Sequence, residues 1–302
     1  MSAQDQLEMV RKAQKAEKPV VVGAGPKTIV VHLQSDESVD SRLETALSLA
    51  RASSAHVECL HITPIEAYVA FDSFGGVFVM NDVIKALDEE QATLRSRIEA
   101  KLQNEDVSWS YQQLTGNVAS QLIRFAALAD LLVVGRQPHR SDFAGSAISL
   151  IGDLIYRCRT PLLIPSDSGQ PVDPTGTAVI AWDGSYEAAN AVRSSVGLLK
   201  LASTVHVLQV AERDKDETFP STRLLEYVSR HGIHAELSTV EPLTSVRDRD
   251  LVSEAVLAWA QEKRAAYLVM GGYNHSRVGE YLFGGVTRTM LAGSPIPIVI
   301  AR

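Results

Sequence analysis

Glycines punctuate the C-terminal part of the chain in a pattern that suits phosphate chemistry. The apolar run 268–270 ends at Gly271, a polar loop follows, and Gly284 and Gly285 begin a second apolar stretch with a hydroxyl at Thr287. Glycine lets the backbone approach a phosphate closely, and the free N–H groups at a helix start favour an anion. The loop contains no lysine and no GxxxxGK[ST] sequence, which excludes the P-loop mode. The pattern predicts either a different kind of nucleotide phosphate site or a βα loop without a ligand.

A carboxylate follows an earlier apolar run, in the sequence Asp183-Gly184-Ser185. In open α/β sheets ligands bind beyond the carboxyl ends of the strands, where an aspartate can accept hydrogen bonds from a ribose or a base edge. Aspartate and serine also cap helix starts, and glycine permits the turn before them. The residues alone leave both interpretations open.

The glycine loop has a degenerate copy earlier in the chain. Gly135 and Gly271 end similar apolar runs, and Pro161 and Pro297 precede similar apolar runs, with the same offset (271 − 135 = 297 − 161 = 136). Self-similarity at a fixed offset indicates tandem domains. In the first copy Pro138 removes an N–H donor and Ile148 places a branched side chain where phosphate would approach. No Asp-Gly-Ser sequence follows the first strand of that copy, which is therefore predicted not to bind a phosphate in this way.

The elements that would position these residues alternate between strand and helix in both halves. The first half is predicted to have strands over 28–33, 57–62, 107–114, 131–134 and 162–164, with helices over 38–52, 83–102, 118–128 and 147–156. The second half is predicted to have strands over 178–182, 205–211, 233–240, 267–270 and 298–300, with helices over 185–199, 221–231, 251–261 and 285–291. Each half is therefore expected to form a mainly parallel five-stranded sheet flanked by helices.

The predicted organisation is an N-terminal extension over 1–26, a first domain over 27–165, a Pro/Ser/Asp-rich linker over 166–176 and a second domain over 177–302. A helix is expected over 7–15 in the extension. The last strands of the two halves, 162–164 and 298–300, would each present an open edge unless they pair. Their pairing would form an internal pseudo-dimer, and a homodimer remains an alternative.

Composition restricts the possible partners and compartment. The 302 residues carry a net charge of −7 and no run rich in lysine or arginine, which argues against binding to nucleic acid or an anionic membrane. No apolar run reaches the roughly 18 residues of a membrane span, and the polar N-terminus lacks a hydrophobic signal core, so cytoplasm is expected.

The two cysteines, Cys59 and Cys158, do not have the spacing of a metal site. We expect both to be buried thiols, and we expect no metal.

From about Lys27 onwards the chain resembles two tandem universal stress protein domains. Nucleotide-binding members of that family carry Gly-x2-Gly-x9-Gly-Ser/Thr after the fourth strand. Gly271 matches the first glycine and Gly284 the third, whereas Asn274 stands in place of the second and Gly285 in place of the hydroxyl residue. The resemblance implies two Rossmann-like domains of the adenine-nucleotide-alpha-hydrolase type.

The resemblance also implies the ligand and its contacts. Asp183 matches the acidic residue that meets the nucleoside, and Ala181 and Val210 match positions that line the adenine pocket. The implied ligand is ATP or another adenine nucleotide, with or without Mg²⁺. The implied binding residues are Ala181, Asp183, Val210, Met270, Gly271, Asn274, Gly284, Gly285, Val286 and Thr287.

Three functions follow as hypotheses. The first is a stress-linked regulatory protein that binds an adenine nucleotide in its second domain and is read by an unidentified protein partner. The second is an interaction module without a nucleotide, which the replacement at Asn274 favours. The third is a slow ATPase or autophosphorylating protein, although the sequence offers no general base, and phosphoryl transfer needs a positioned nucleophile.

Overall fold

The computed structural model describes residues 25–64, 77–136, 147–166, 168–210, 219–240, 249–272 and 285–302. The helix expected over 7–15 lies outside these ranges. The strands are β1 (Thr28–Leu33), β2 (His56–Pro64), β3 (Ser108–Gly116), β4 (Leu131–Val133), β5 (Leu162–Ile164), β6 (Thr177–Trp182), β7 (Thr204–Val210), β8 (Ala235–Val240), β9 (Ala265–Gly271) and β10 (Ile298–Ala301). The helices are α1 (Val39–Ser53), α2 (Val77–Leu102), α3 (Val118–Ala126), α4 (Ala147–Arg157), α5 (Tyr186–Leu199), α6 (Ser221–Arg230), α7 (Arg249–Glu262) and α8 (Gly285–Gly293). The predicted alternation of strands and helices is confirmed.

The ten strands form one sheet in the order β3-β2-β1-β4-β5-β10-β9-β6-β7-β8. Neighbouring strands are parallel within each half, and the halves join where β5 and β10 pair antiparallel, with Leu163 opposite Val299. The predicted pairing of the two last strands is therefore confirmed. In each half the strand order reverses beside the first strand, between β1 and β4 and between β6 and β9, and such switch points are where α/β sheets bind ligands.

Helices cover both faces of the sheet. Along β1 the buried side chains alternate, so that Val31 packs on one face and Val30 on the other. The first face is covered by α1, α2, α5 and α6, and the second by α3, α4, α7 and α8. Each of the two hydrophobic clusters contains residues from both halves, which makes the interior continuous across the β5–β10 junction. Among the described residues, no helix has the length and apolar character needed to cross a bilayer.

The turns follow the local sequence signals. The side chain of Asn117 accepts a hydrogen bond from the Ser120 N–H at 3.0 Å and begins α3. Gly232 follows α6 with φ +77°, a left-handed conformation that favours glycine at the end of a helix. Part of the segment predicted as a linker packs against the first half, because Val172 is buried and its N–H donates to Thr45 Oγ1 at 3.3 Å.

Both cysteines are free and buried, as the sequence predicts. Burial, together with the charge of Glu58, raises the pKa of Cys59 to about 12. Since the thiolate is the reactive form, we expect Cys59 to resist Ellman's reagent in the native protein at pH 8 and to react after unfolding in urea. Rapid labelling of Cys59 in the native protein, located by peptide mass spectrometry, would contradict its placement in β2.

Candidate functional site

Asp183 is fixed at the carboxyl end of β6 by the start of the next helix. Its Oδ1 accepts hydrogen bonds from the Ser185 N–H at 3.0 Å and the Ser185 hydroxyl at 2.5 Å. The Ser185 Oγ in turn accepts from the Ala188 N–H at 3.1 Å and caps α5. Gly184 adopts φ +72°, which favours glycine between the two polar residues. The capping interpretation of this sequence is therefore correct, and it holds a partly exposed carboxylate at the switch point.

Gly271 ends β9 directly against the first turn of α5. A Cβ at this position would lie 2.5 Å from the Ala188 nitrogen and 2.7 Å from the carbonyl carbon of Glu187. The sequence suggested a glycine here for close approach to phosphate, but the structure supplies an independent reason, because the helix backbone already occupies that space. Gly271 therefore sets how closely α5 and Asp183 approach β9.

Four apolar residues of the implied site share one hydrophobic cluster. Ala181 of β6 lies opposite Met270 of β9, and both belong to the cluster beneath α7 and α8. Val210, the last residue of β7, and Val286, in the first turn of α8, pack against the same cluster. All four residues therefore lie on the face of the sheet that α3, α4, α7 and α8 cover.

The remaining binding residues that the resemblance implies belong to the glycine loop and to the start of α8. Gly285 is the first residue of α8, and Thr287 is buried in its first turn. Asn274 and Gly284 lie outside the described residues, as does Pro138 of the first-half loop, and so does the side chain of Ile148. Within the described part of the chain, no three His, Cys, Asp or Glu side chains come close enough together to hold a metal ion.

The first half has a counterpart of Asp183 that the sequence analysis missed. The Asp36 Oδ1 accepts from the Ser38 N–H at 2.9 Å and from the Ser38 hydroxyl at 3.0 Å, the same pattern that joins Asp183 and Ser185. No Asp-Gly-Ser sequence marks this aspartate directly after β1, because residues 34–38 form a longer loop than residues 183–185. Alignment on the helix start, where Asp-x-Ser precedes both helices, would have found the match.

Arg42 distinguishes the two halves. This arginine of α1 is only 1% exposed, and its Nη1 lies 3.0 Å from each carboxylate oxygen of Asp36 and donates to the Ser38 hydroxyl at 2.6 Å. Its Nε donates to the carbonyl oxygen of His32 at 3.0 Å and its Nη2 to that of Gln34 at 3.3 Å. The Asp36 carboxylate is thus engaged within the protein.

The longer loop explains why an arginine stands there. A Cβ at Gly135 would overlap Arg42 Nη1 and lie 3.1 Å from its Cζ, whereas the corresponding space at Gly271 holds the backbone of α5. The fourth residue of the helix is Arg42 in α1 and Ala189 in α5. The Arg42 guanidinium therefore fills, in the first half, the space that the helix backbone fills in the second.

The arrangement of two equivalent halves agrees with a family match. The sequence model of the universal stress protein family matches residues 25–164 and again residues 175–302. The chain belongs to the universal stress protein family. It is a tandem member, with two such regions in one polypeptide, and the family resemblance noted in the sequence is confirmed.

Solved structures of other proteins share the fold of this universal stress protein. A universal stress protein from Archaeoglobus fulgidus aligns with a TM-score of 0.66 at 15% identity, covering 91% of this chain and 98% of that chain. A functionally unknown protein from Pseudomonas aeruginosa aligns with a TM-score of 0.53 at 16% identity, covering 91% and 92%. No curated protein matches the chain in sequence.

Proposed function

We propose that this universal stress protein binds an adenine nucleotide, ATP in the first instance, at the carboxyl ends of β6, β7 and β9. The observation that carries the proposal is the position of Asp183 at the switch point. Its Oδ1 accepts the N–H and the hydroxyl of Ser185 in the helix cap, which holds a partly exposed carboxylate at the carboxyl end of β6. A carboxylate in this place can accept hydrogen bonds from a ribose hydroxyl, whereas both oxygens of its counterpart Asp36 lie against the buried guanidinium of Arg42.

Each part of a nucleotide has a matching group in the second half. The apolar surface around Ala181, Met270 and Val210 suits the adenine ring, and Asp183 suits the ribose. The start of α8 at Gly285, with Thr287 in its first turn, suits the phosphates, because unpaired N–H groups and the helix dipole favour anions there. Asn274 and Gly284 complete the proposed phosphate loop.

The first half is proposed not to bind a nucleotide in this mode. A ribose at Asp36 would have to displace a buried ion pair, and removing one partner of such a pair is strongly unfavourable. Its role is proposed to be structural, and the bound state of the second half would be read by a protein partner in the cytoplasm.

Titration calorimetry with ATP tests the site through two nearly isosteric changes. Asp183→Asn keeps a carbonyl oxygen for the Ser185 cap but removes the charge, and Thr287→Val removes a hydroxyl. Because hydrogen bonds to charged groups are the stronger ones, we expect Asp183→Asn to weaken ATP binding by about tenfold or more, with a smaller loss for Thr287→Val. Asp153→Asn, an exposed change on α4, is the matched control and should bind as the native chain does. Equal affinities for all four proteins would refute the assigned site.

A further inference from the structure

The first half contacts both ends of the chain segment that contains the proposed phosphate loop. At the far end, Arg136 Nη1 donates a hydrogen bond of 2.7 Å to the carbonyl oxygen of Ser294. Ser294 is 1% exposed, follows α8 directly and donates its N–H to the Met290 carbonyl oxygen at 3.1 Å. Arg136 therefore places a cation at the C-terminal end of α8, where the helix dipole favours positive charge.

At the near end, Gly272 packs against α4 of the first half. A Cβ at Gly272 would lie 2.8 Å from Ile155 Cγ2, so that the backbone of the second half touches a first-half side chain here. The Gly272 N–H also donates to the Ala301 carbonyl oxygen at 2.8 Å. The Arg302 guanidinium lies 4.6 Å from the ring centre of Tyr156, again on α4. The first half thus supports both the entry to the loop and the exit from α8.

The equivalent position in the second half cannot make the same contact. Arg136 follows Gly135 as Gly272 follows Gly271, so the position that carries an arginine in the first half carries a glycine in the second. Gly272 has no side chain that could donate to the first half as Arg136 donates to Ser294.

From these contacts we infer that Arg136 of the first half is a positioning residue for the phosphate site of the second half. The inference rests on the proposed nucleotide function. A helix of nine residues moves as a unit, so the hold on its C-terminal end at Ser294 also sets where Gly285 and Thr287 stand at its N-terminal end. Loss of this hold changes the contacts to phosphate and leaves the adenine and ribose contacts on β6, β7 and β9 in place.

The test compares ATP with adenosine, by calorimetry, on the full chain. Arg136→Met should weaken ATP binding by about tenfold, since a helix that shifts loses several phosphate contacts, and should leave adenosine binding within about twofold. Arg124→Met, on the exposed face of α3, is the matched control and should change neither affinity. Native ATP affinity in Arg136→Met, or an equal loss for ATP and adenosine, would overturn the positioning role.

A second variant provides the test if Arg136→Met does not fold. Arg136→Lys keeps one donor but not the planar guanidinium, and should lose ATP affinity by about threefold with adenosine unchanged. Native ATP affinity in that variant would then overturn the inference. A native chain that binds neither ATP nor adenosine would instead refute the proposed function itself, and the two failures are therefore distinguishable.

Discussion

Replacing Arg42 with methionine is expected to lower the free energy of unfolding by about 3–5 kcal/mol, because it breaks a buried ion pair and leaves a charge without its partner. The Asp36 side chain is 11% exposed, so water can replace the guanidinium only in part. The carbonyl oxygens of His32 and Gln34 would each lose the hydrogen bond from Arg42 as well. Urea unfolding followed by circular dichroism measures the effect.

The matched control is Arg51→Met. Arg51 also pairs with carboxylates, Glu44 and Glu105, but its side chain is 43% exposed, and exposed pairs contribute at most about 1 kcal/mol. The double variant Arg42→Met with Asp36→Asn should recover part of the loss, because the uncompensated charge is gone. If Arg42→Met costs no more than Arg51→Met, the buried ion pair does not hold the β1–α1 loop.

Gly271→Ala is expected to cost about 1–3 kcal/mol of stability, the range for overpacking a filled interior. The added Cβ would lie 2.5 Å from the backbone nitrogen of Ala188, and backbone cannot move aside as a flexible side chain can. Either β9 or α5 must shift, and α5 carries the cap that fixes Asp183. ATP binding should therefore weaken together with stability, as calorimetry and urea unfolding of the same preparation would show.

Gly293→Ala is the control for this substitution. Gly293 ends α8, and in the described part of the chain no atom outside its two neighbours and the helix's own backbone lies within 4 Å of the position that a Cβ would take. Alanine is a better helix former than glycine by up to about 1 kcal/mol, so this change should be neutral or stabilising. Equal losses for the two glycines would show that the contact with α5 is not what Gly271 provides.

The fold could be predicted closely because helix and strand periodicity, turn residues and the internal repeat all agree. The bounds predicted for β1 are the observed ones, and the pairing of β5 with β10 was expected because each strand would otherwise present an open edge of unpaired backbone groups. Helix α2 begins at Val77, earlier than the expected residue 83, because the apolar pattern alone did not mark its start.

The contacts of the candidate site were less predictable, because they depend on how far apart elements stand. The buried role of Arg42 follows from a β1–α1 loop two residues longer than its counterpart, which moves α1 away from Gly135 and leaves a space for a guanidinium. Arg136 contacts Ser294 across 158 residues of chain, and no local pattern indicates such a partner. The need for Gly271 was predicted, but its packing reason required the position of α5.

Native mass spectrometry of the intact chain after incubation with ATP tests the central claim most directly. The account predicts a mass increase of one adenine nucleotide per chain, since Asp183 lies partly exposed at the switch point of the second half, whereas the first half holds Asp36 against Arg42. The bound fraction should fall in Gly271→Ala and stay unchanged in Gly293→Ala. A spectrum without bound nucleotide would contradict the proposed site. Two nucleotides per chain would contradict the proposal that the first half does not bind one.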